Sequence, residues 1–346
     1  MRKDFKTIEP EACYLITGGA GFIGFHLSKR LLALGCQVIG FDNLNDYYDV
    51  QLKHDRVAIL KGYPKYTFIK GDLANAKDVE HLFTTYHPQY VIHLGAQAGV
   101  RYSLTNPQAY LESNLIGFYN MIENCRHYLP KHFVYASSSS VYGHNTKTPY
   151  STEDKTDSPV SLYAATKKSN ELMAYAYSHL YHIPSTGLRF FTVYGPYGRP
   201  DMAYFSFTQK ILKGEPISVF NEGHMFRDFT YVDDIVEGII HVIPNAPHPN
   251  EHEVQHKVYN IGNHQCEELS RFISVLEKTI GHKAQIIYKP MQPGDVLKTY
   301  ADVHDLMEDF DFKPSTSIEE GLAKFWAWYQ DYYHVDEKKG CVNENE

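Results

Sequence analysis

The sequence has 346 residues, of which 43% are hydrophobic and 21% charged, and its formal net charge is −8. This composition is typical of a globular protein with one large domain or two, and the lack of a basic tract argues against a nucleic-acid partner. The sequence contains no apolar run of 18 residues and no hydrophobic leader, so we expect no membrane partner and predict a cytoplasmic location. The five cysteines are odd in number and scattered, which favours reduced thiols over disulfides.

The first half of the chain alternates short apolar segments with longer segments of helical periodicity. Strands separated by helices of this length form βαβ units, which build a parallel sheet covered on both faces. We therefore predict an α/β fold, a Rossmann-type doubly wound parallel sheet with a smaller mixed α/β C-terminal domain. The predicted strands are CYLIT, QVIGFD, YTFIKGDL, YVIHLGA and HFVYASSSS, and the predicted helices are FIGFHLSKRLLALG, AKDVEHLFTTY, NPQAYLESNLIGFYNMIENCRHYL and SLYAATKKSNELMAYAYSHLY.

The segment LITGGAGFIG places Gly18, Gly21 and Gly24 at a predicted strand-to-helix turn. Glycine permits a tight turn and close approach of the backbone to a pyrophosphate, and the helix N-terminus offers free N–H groups. The spacing is G-x-x-G-x-x-G rather than the commoner G-x-G-x-x-G, and a purely structural turn is the alternative. Asp42, at the end of the second strand, could accept hydrogen bonds from ribose hydroxyls and repel a 2′-phosphate, so we predict NAD rather than NADP.

A tyrosine and a lysine on a later predicted helix indicate proton-transfer chemistry. Tyr163 and Lys167 occur as YAATK, and positions i and i+4 share a helix face. The ammonium could therefore stabilise the phenolate and let the tyrosine act as a base. Tyr66 and Lys70 have the same spacing in YTFIK, but on a predicted strand they would lie about 13 Å apart, so we attribute that copy to chance. Tyr163 also lies downstream of Ser138.

These motifs together resemble a known family. In this order, TGGAGFIG, ASSSSVYG, YAATK, LRFFTVYGP and RDFTYVDDIVEG resemble the extended short-chain dehydrogenase/reductase family. Within it, the closest likeness is to UDP-glucuronate 4-epimerases, on DNLNDYYDVQLKHDR, AQAGVRYS, SLYAATKKSNELMA, GRPDMA and QPGDV. The resemblance runs from about Cys13 to Tyr333. It implies an isomerase, an NAD-dependent nucleotide-sugar 4-epimerase that interconverts UDP-glucuronate and UDP-galacturonate by transient oxidation at C4 with tightly bound NAD.

The resemblance also implies roles for individual residues. Tyr163 would be the catalytic base, Lys167 its partner and a ligand of the nicotinamide ribose, and Ser138 the hydroxyl that bonds the sugar O4. The implied cofactor-binding residues are Gly18, Gly21, Phe22, Ile23, Gly24, Asp42, Asn43, Asp72, Leu73, Leu94, Ala96, Asn114, Tyr163 and Lys167. The implied substrate-binding residues are Ser138, Ser139, Ser140, Thr192, Arg199, Phe220, Arg227 and Asp295.

Some of these assignments are more specific than others. The resemblance implies that Arg227 would contact the UDP diphosphate, and that Thr192 and Arg199 would line the sugar or its carboxylate. Gln292 departs from some UDP-galactose epimerases, which carry an arginine there for the diphosphate. Arg101 could reach the substrate carboxylate or could equally be a surface cation on a loop.

The serine row after the fifth strand raises a question of chemistry. Decarboxylases and 4,6-dehydratases that resemble this family carry Glu, or Asp-Glu, where Ser139 and Ser140 stand. A 4-keto uronate is a β-keto acid that loses CO₂ readily, and hydroxyls can bind its carboxylate without acting as an acid–base pair. We therefore expect both serines to bind the substrate carboxylate. The alternative is that they only satisfy backbone groups at the strand end.

Other functions remain open from the sequence. They are a UDP-hexose or UDP-N-acetylhexosamine 4-epimerase, a UDP-glucuronate decarboxylase, and a non-enzymatic NAD-binding sensor or scaffold. The segment HEVQH, residues 252–256, matches the zinc signature H-E-x-x-H, but the prolines before it and the strand KVYNIG after it leave little room for a helix. We therefore predict no metal site.

The same patterns predict how the chain is divided. We expect an N-terminal extension at 1–11, an NAD-binding Rossmann domain at 12–188 and a mainly UDP-sugar-binding domain at 189–333. Segments near 230–243 and 257–263 would return to the Rossmann domain, and the polar tail at 334–346 would be disordered. The two longest predicted helices are apolar on more than one face, which suits a homodimer through a four-helix bundle or, alternatively, packing inside the monomer. Loop 43–62 could cover the cofactor.

Overall fold

The computed structural model describes residues 5–291 and 296–335. The predicted site residue Asp295, the departure at Gln292 and most of the predicted tail lie outside the described residues. The strands are β1 Cys13–Thr17, β2 Gln37–Asp42, β3 Tyr66–Lys70, β4 Tyr90–His93, β5 His132–Ser138, β6 Ser185–Phe190, β7 Thr192–Tyr194, β8 Ile217–Phe220, β9 Phe226–Arg227, β10 Phe229–Tyr231, β11 His256–Ile261, β12 Glu267–Glu268 and β13 Ile286–Lys289. The helices are α1 Phe22–Ala33, α2 Val50–Lys61, α3 Ala76–Tyr86, α4 Tyr102–Thr105, α5 Pro107–Tyr110, α6 Gly117–Tyr128, α7 Leu162–Tyr181, α8 Ala203–Leu212, α9 Val232–Val242, α10 Leu269–Ile280, α11 His304–Phe310 and α12 Ile318–Tyr332.

Seven parallel strands form the central sheet, in the order β3-β2-β1-β4-β5-β6-β11. This arrangement confirms the predicted Rossmann-type sheet, and the predicted return of KVYNIG to it is confirmed by the pairing of β11 with β6. The strand order reverses between β1 and β4. In open α/β sheets, a crevice forms at the carboxyl ends of the strands beside such a reversal, and ligands bind there.

Alternate side chains of the strands bury themselves on opposite faces of the sheet. On β1, Tyr14 and Ile16 join one apolar core, while Cys13 and Leu15 join another. Helices α1 and α9 contribute to the first core, and α3 and α6 contribute to the second. A parallel sheet that is covered by helices on both faces requires strands whose side chains are apolar on both faces. The sheet is therefore held between two layers of helices.

The second half of the chain adds smaller strand pairs to this framework. Strand β7 pairs with β10, β8 with β13, and β9 with β12. Residues of α8, α10 and α12 extend the first core, so that one continuous apolar cluster runs from α1 into the C-terminal half. Because of this shared core, the division at 188/189 stays a prediction.

Two segments differ from the simplest expectation. The predicted loop 43–62 is wrong over its second part, because Val50–Lys61 forms α2, which the Asp49 side chain caps by accepting a hydrogen bond from the Gln51 N–H at 2.9 Å. Two of the side chains that α2 buries are the cations Lys53 and Arg56. Because these buried positions are charged, the sequence shows no regular apolar face that would have predicted the helix. The helix after β4 also contains a π-helical turn at Leu111–Ile116 between α5 and α6, which the sequence did not indicate.

The segment HEVQH is not helical, as predicted. Its first residues form a turn, and His256 begins β11, where its ring nitrogen shares a hydrogen bond with the Tyr135 hydroxyl at 2.9 Å.

Among the described residues, no helix is both long enough and apolar enough to cross a membrane.

Close packing at the glycine turn gives a first testable prediction. A Cβ atom on Gly24 would lie 2.1 Å from the carbonyl oxygen of Gly18, a contact that the rigid turn cannot relieve. We expect Gly24→Ala to lower the free energy of unfolding by about 1–3 kcal/mol, measured by denaturant titration. The control is Gly62→Ala, since Gly62 has helical φ of −67° and ψ of −14° and its Cβ would lie 3.2 Å from the Ile59 oxygen. Equal stability of the two variants would contradict the packing described here.

Candidate active site

A cleft with an empty volume of about 1390 Å³, partly open to solvent, lies at the carboxyl ends of the central strands. Its wall runs without interruption from the glycine turn after β1 to the helix α7 that follows β5. The structure brings most of the predicted site residues together here. They are Gly18, Gly21, Phe22, Ile23, Gly24, Asp42, Asn43, Asp72, Leu73, Leu94, Ala96, Ser138, Tyr163, Lys167 and Arg199.

The glycine turn is built to approach a phosphate. Gly18 has a φ of +68°, and its carbonyl oxygen accepts a hydrogen bond from the Gly21 N–H at 2.9 Å, which closes the turn. Helix α1 then starts with no side-chain cap and no acidic residue in its first turn. Its first N–H groups, at Phe22 to Gly24, thus line the cleft with the positive end of the helix dipole. This arrangement fits the pyrophosphate of a dinucleotide.

The far end of the cleft carries two carboxylates. The Asp42 oxygens accept hydrogen bonds from the backbone N–H groups of Ala20 at 3.2 Å and Leu44 at 2.9 Å, which fix the carboxylate at the end of β2. The Asn43 amide donates to Asp72 at 3.1 Å. Each Asp42 oxygen keeps a lone pair, so the carboxylate can still accept hydrogen bonds from ribose hydroxyls. The position therefore suits the adenosine ribose of NAD.

The reacting end of the cleft combines Tyr163 with Ser138. Both side chains line the cleft, and Tyr110 packs edge-on against the Tyr163 ring with centroids 6.0 Å apart. Burial raises the pKa of Tyr163, and the nearby Ser138 hydroxyl and the charge of Arg199 offset part of that rise. The phenol is thus desolvated, with a hydroxyl and a cation close enough to favour its ionised form.

Lys167 lines the cleft one helical turn after Tyr163. Its ammonium donates to the backbone oxygen of Ala136 at 2.8 Å, and burial lowers its pKa to about 8. The charge of Arg199 lowers the pKa of Tyr163, an effect that the sequence did not indicate. The predicted action of Lys167 on the phenol stays a prediction.

Arg199 is held by an acidic partner at the edge of the cleft. Its Nε and Nη2 donate to the two carboxylate oxygens of Asp201 at 3.0 and 2.5 Å, and Asp201 also accepts a hydrogen bond from the Tyr47 hydroxyl at 3.0 Å. The Arg199 side chain is 22% exposed and lines the cleft, whereas Asp201 does not. A guanidinium fixed along one edge can present its remaining N–H groups to an anionic ligand.

Asn114 lies behind the cleft wall rather than in it. Its side chain accepts a hydrogen bond from the Gln97 N–H at 2.8 Å and donates to the Gln97 oxygen and to Thr166 Oγ1, both at 3.1 Å. It therefore joins the cleft-lining segment after β4 to helix α7. Asn114 itself does not line the cleft, so its predicted part in cofactor binding stays a prediction.

Several predicted substrate residues do not line the cleft. Ser139 and Ser140 belong to a 3-10 turn at Ser139–Tyr142, where the Ser140 N–H donates to the Ser138 hydroxyl at 3.2 Å. Thr192 begins β7, and its N–H donates to the Asp228 oxygen at 3.1 Å. The carboxylate-binding role of these three residues stays a prediction.

The residues predicted to bind the nucleotide lie on short strands of the second half of the chain, Phe220 at the end of β8 and Arg227 at the end of β9. The Arg101 guanidinium stacks on the Phe220 ring, 5.1 Å from its centroid. Arg227 Nη1 donates to the backbone oxygens of Phe226 at 2.8 Å and Leu297 at 3.3 Å.

Sequence reasoning missed several residues that shape the site. Lys53 lines the cleft and donates to the backbone and side-chain oxygens of Asn45 at 2.6 and 2.7 Å. Arg56 is fully buried and donates to the oxygen of Ala20 in the glycine turn at 2.9 Å, and to the oxygens of Tyr197 and Gly198 at 2.6 and 3.1 Å. Both cations lie in the motif DNLNDYYDVQLKHDR, which supported the resemblance but carried no assigned role.

Known proteins are similar to this chain in sequence and in fold. Protein CapI of Staphylococcus aureus is 53% identical over 92% of this chain and 98% of its own length. A probable UDP-glucuronate 4-epimerase of Rhizobium meliloti is 48% identical over 92% of this chain and 97% of its own. The crystal structure of UDP-glucuronic acid 4-epimerase from Bacillus cereus, in complex with UDP-glucuronic acid and NAD, matches with a TM-score of 0.85 and 32% identity over 93% of this chain and 100% of that chain.

The family assignment agrees with these likenesses. The sequence pattern described as "NAD dependent epimerase/dehydratase family" matches residues 14–262, which include the glycine turn, Ser138 and the Tyr163–Lys167 helix. That match spans well over half of the chain. The chain therefore belongs to the NAD dependent epimerase/dehydratase family.

Proposed function

We propose that this protein is a UDP-glucuronate 4-epimerase that interconverts UDP-glucuronate and UDP-galacturonate with tightly bound NAD. The observation that carries the proposal is the meeting of three features in one cleft: the glycine turn, the Tyr163 phenol beside Ser138, and the Arg199 guanidinium. The relatives in Rhizobium meliloti and Bacillus cereus carry the name of this activity, which supports the same choice of substrate.

The cleft offers a place for each part of the cofactor. The N–H groups at the start of α1 would hold the pyrophosphate, Asp42 the adenosine ribose, and Lys167 the nicotinamide ribose. Leu73, from the segment after β3, would contact the adenine. When bound, NAD accepts a hydride from C4 of the sugar and returns it to the other face of that carbon.

Tyr163 would take and return the proton of the sugar 4-hydroxyl. The Ser138 hydroxyl, which lines the cleft with the phenol, would hydrogen-bond the sugar O4 and so hold it close to Tyr163. Burial disfavours the phenolate, so proton removal depends on the nearby positive charges that stabilise it. Arg199 supplies one such charge, and Lys167 supplies another at the level of the ribose.

Arg199 would also bind the C6 carboxylate of a uronate. Its guanidinium faces the cleft from the loop after β7, with Asp201 fixing its orientation. Ser139 and Ser140 carry no carboxyl group, so this turn supplies no acid–base pair for dehydration or for the chemistry expected of the related decarboxylases. We infer that the site binds the carboxylate and leaves the C5–C6 bond intact.

One product analysis separates this proposal from the alternatives. Incubation with UDP-glucuronate, UDP-glucose and UDP-N-acetylglucosamine, followed by NMR of the products, distinguishes four outcomes. UDP-galacturonate supports the proposal, UDP-xylose indicates a decarboxylase, a neutral epimer indicates a UDP-hexose or UDP-N-acetylhexosamine epimerase, and no product indicates an NAD-binding sensor or scaffold.

Replacement of the base tests the proposed chemistry. We expect Tyr163→Phe to lower kcat about 10²- to 10⁴-fold while UDP-glucuronate still binds, because only the proton carrier is lost. The matched control is Tyr66→Phe, which removes another buried phenol, one whose oxygen has no hydrogen-bond partner among the described residues. Turnover by Tyr163→Phe at the parent rate would overturn the proposed role.

Replacement of Arg199 tests substrate selection. We expect Arg199→Met to raise the KM for UDP-glucuronate about 10- to 100-fold, because a charge-assisted hydrogen bond is lost, and to affect UDP-glucose much less. Loss of this cation also raises the pKa of Tyr163, so the acid limb of the pH–rate profile should move to higher pH. The control is Arg30→Met, because Arg30 pairs with Glu237 on the surface and neither residue lines the cleft. Equal changes in KM for both substrates would contradict the carboxylate role.

We also propose a homodimer formed through α6 and α7, in a cytoplasmic enzyme; the location rests on the sequence alone. The support for the dimer is a set of apolar side chains exposed on these two helices, which pack side by side and are joined by the hydrogen bond from the Tyr177 hydroxyl to Glu123 at 2.9 Å. Leu172 is 60% exposed, and Tyr119, Tyr175 and Leu180 are exposed as well. Burial of such a surface against a second copy would remove it from water.

The dimer proposal is tested by charge. We expect the double variant Leu172→Glu, Tyr175→Glu to run as a monomer in light scattering coupled to gel filtration, because paired helices would bury four carboxylates at their contact. Ile59→Glu, at an exposed apolar residue on α2, should leave the dimer intact. A monomeric parent protein would refute the proposal directly.

A further inference from the structure

Three successive residues of β5 face three successive turns of α7. Ser138 lies near the Tyr163 phenol and lowers its pKa, and the Ala136 oxygen accepts a hydrogen bond from the Lys167 ammonium at 2.8 Å. The Ser137 hydroxyl donates to Glu171 Oε1 at 2.6 Å. Because positions 163, 167 and 171 are one helical turn apart, these bonds fix how far α7 can slide or turn against the strand.

The contact at Glu171 is the most firmly anchored of the three. Arg189 donates to both carboxylate oxygens, from Nε at 2.8 Å and Nη2 at 2.9 Å, and each side chain is 4% exposed. Arg189 stands on β6 directly beside Ser137 in the strand register. Lys168, the next cation on the same helix, lies 3.5 Å from Glu171 Oε2. Burial raises the pKa of Glu171, but Arg189 outweighs it and holds that pKa below its ordinary value.

The ion pair also extends away from the cleft. Arg189 Nη1 donates to the Tyr142 hydroxyl at 3.0 Å, and that hydroxyl donates to Asn260 Oδ1 at 2.6 Å. The Asn260 amide donates to the backbone oxygens of Tyr150 and Asp302 at 2.8 and 2.9 Å. Removal of Arg189 would therefore disturb the sheet and two loops at once.

A buried ion pair of this kind contributes little net stability, since the cost of removing both charges from water offsets their attraction. It does impose geometry, because each carboxylate oxygen has fixed partners. A shift of α7 by one residue along its axis moves every side chain by about 1.5 Å. That distance is enough to move the Tyr163 phenol out of reach of the Ser138 hydroxyl.

We propose that Glu171 is a positioning residue: anchored by Arg189, it holds Ser137 and so sets the register of α7 on β5 that brings the Tyr163 phenol to the Ser138 hydroxyl. This inference rests on the proposed function in that Tyr163 is the base. Neither Glu171 nor Arg189 lines the cleft, so the pair acts on the reaction through Ser137.

The test removes the Ser137 hydroxyl and leaves the ion pair intact. We expect Ser137→Ala to lower kcat for UDP-glucuronate about tenfold, with the KM and the content of bound NAD unchanged. Because the Ser138 hydroxyl lowers the pKa of Tyr163, a longer distance between the two groups should move the acid limb of the kcat profile to higher pH. A general loss of stability would not produce that shift at temperatures well below unfolding.

The matched control is Ser28→Ala. Ser28 is fully buried on α1, and its hydroxyl has no hydrogen-bond partner among the described residues. We expect this variant to keep the kcat and the pH profile of the parent. A second variant, Glu171→Gln, keeps the size and the acceptor but loses the charge, and its effect on kcat should not add to that of Ser137→Ala.

A crystal structure of Ser137→Ala gives a readout that needs no activity. We expect the distance from Ser138 Oγ to Tyr163 Oη to be longer in this variant than in the parent, because α7 is no longer held at Ser137. A parent kcat, a parent pH profile and an unchanged distance from Ser138 Oγ to Tyr163 Oη in Ser137→Ala would overturn the proposal. If the parent protein converts no UDP-sugar, the proposed function fails, and the crystallographic distance still decides whether Glu171 positions Tyr163.

Discussion

The contact between the Ser138 hydroxyl and the Tyr163 phenol joins the central sheet to α7, and the chemistry of the cleft depends on it. Burial works against ionisation of the phenol, so the groups around it must supply both orientation and positive charge. The strand β5 provides the orientation through a row of hydroxyls. Positive charge comes from Arg199, which lowers the pKa of the phenol, and the backbone oxygen of Ala136 holds the Lys167 ammonium in the same cleft.

The sheet topology explains why these groups can meet at all. The reversal of strand order between β1 and β4 opens a crevice in which the glycine turn and the end of β5 face the same space. Segments distant in sequence then complete the wall, notably the loop that carries Arg199. The part of the site that we propose to select the substrate therefore comes from a less regular region, which can differ among relatives without changing the cofactor half.

The sequence predicted the sheet, the glycine turn, Asp42 and the Tyr163–Lys167 pair, because each follows from local periodicity or from spacing within one element. It did not predict α2, since the inward face of that helix carries the cations Lys53 and Arg56, and Arg56 finds acceptors in loops remote in sequence. Local spacing also could not show that Arg199 acts on Tyr163. That contact depends on where a loop after β7 folds, and no helical or strand period encodes its path.

Arg56 illustrates how shape can matter more than charge. Its guanidinium reaches carbonyl oxygens of the glycine turn and of the loop just before Arg199, as well as the Tyr48 hydroxyl. Only a planar fork with several fixed donors can serve acceptors that diverge in this way, whereas the three donors of a lysine radiate from a single point. An exchange of arginine for lysine, conservative by the usual amino-acid classes, would therefore be among the least tolerated changes at this position.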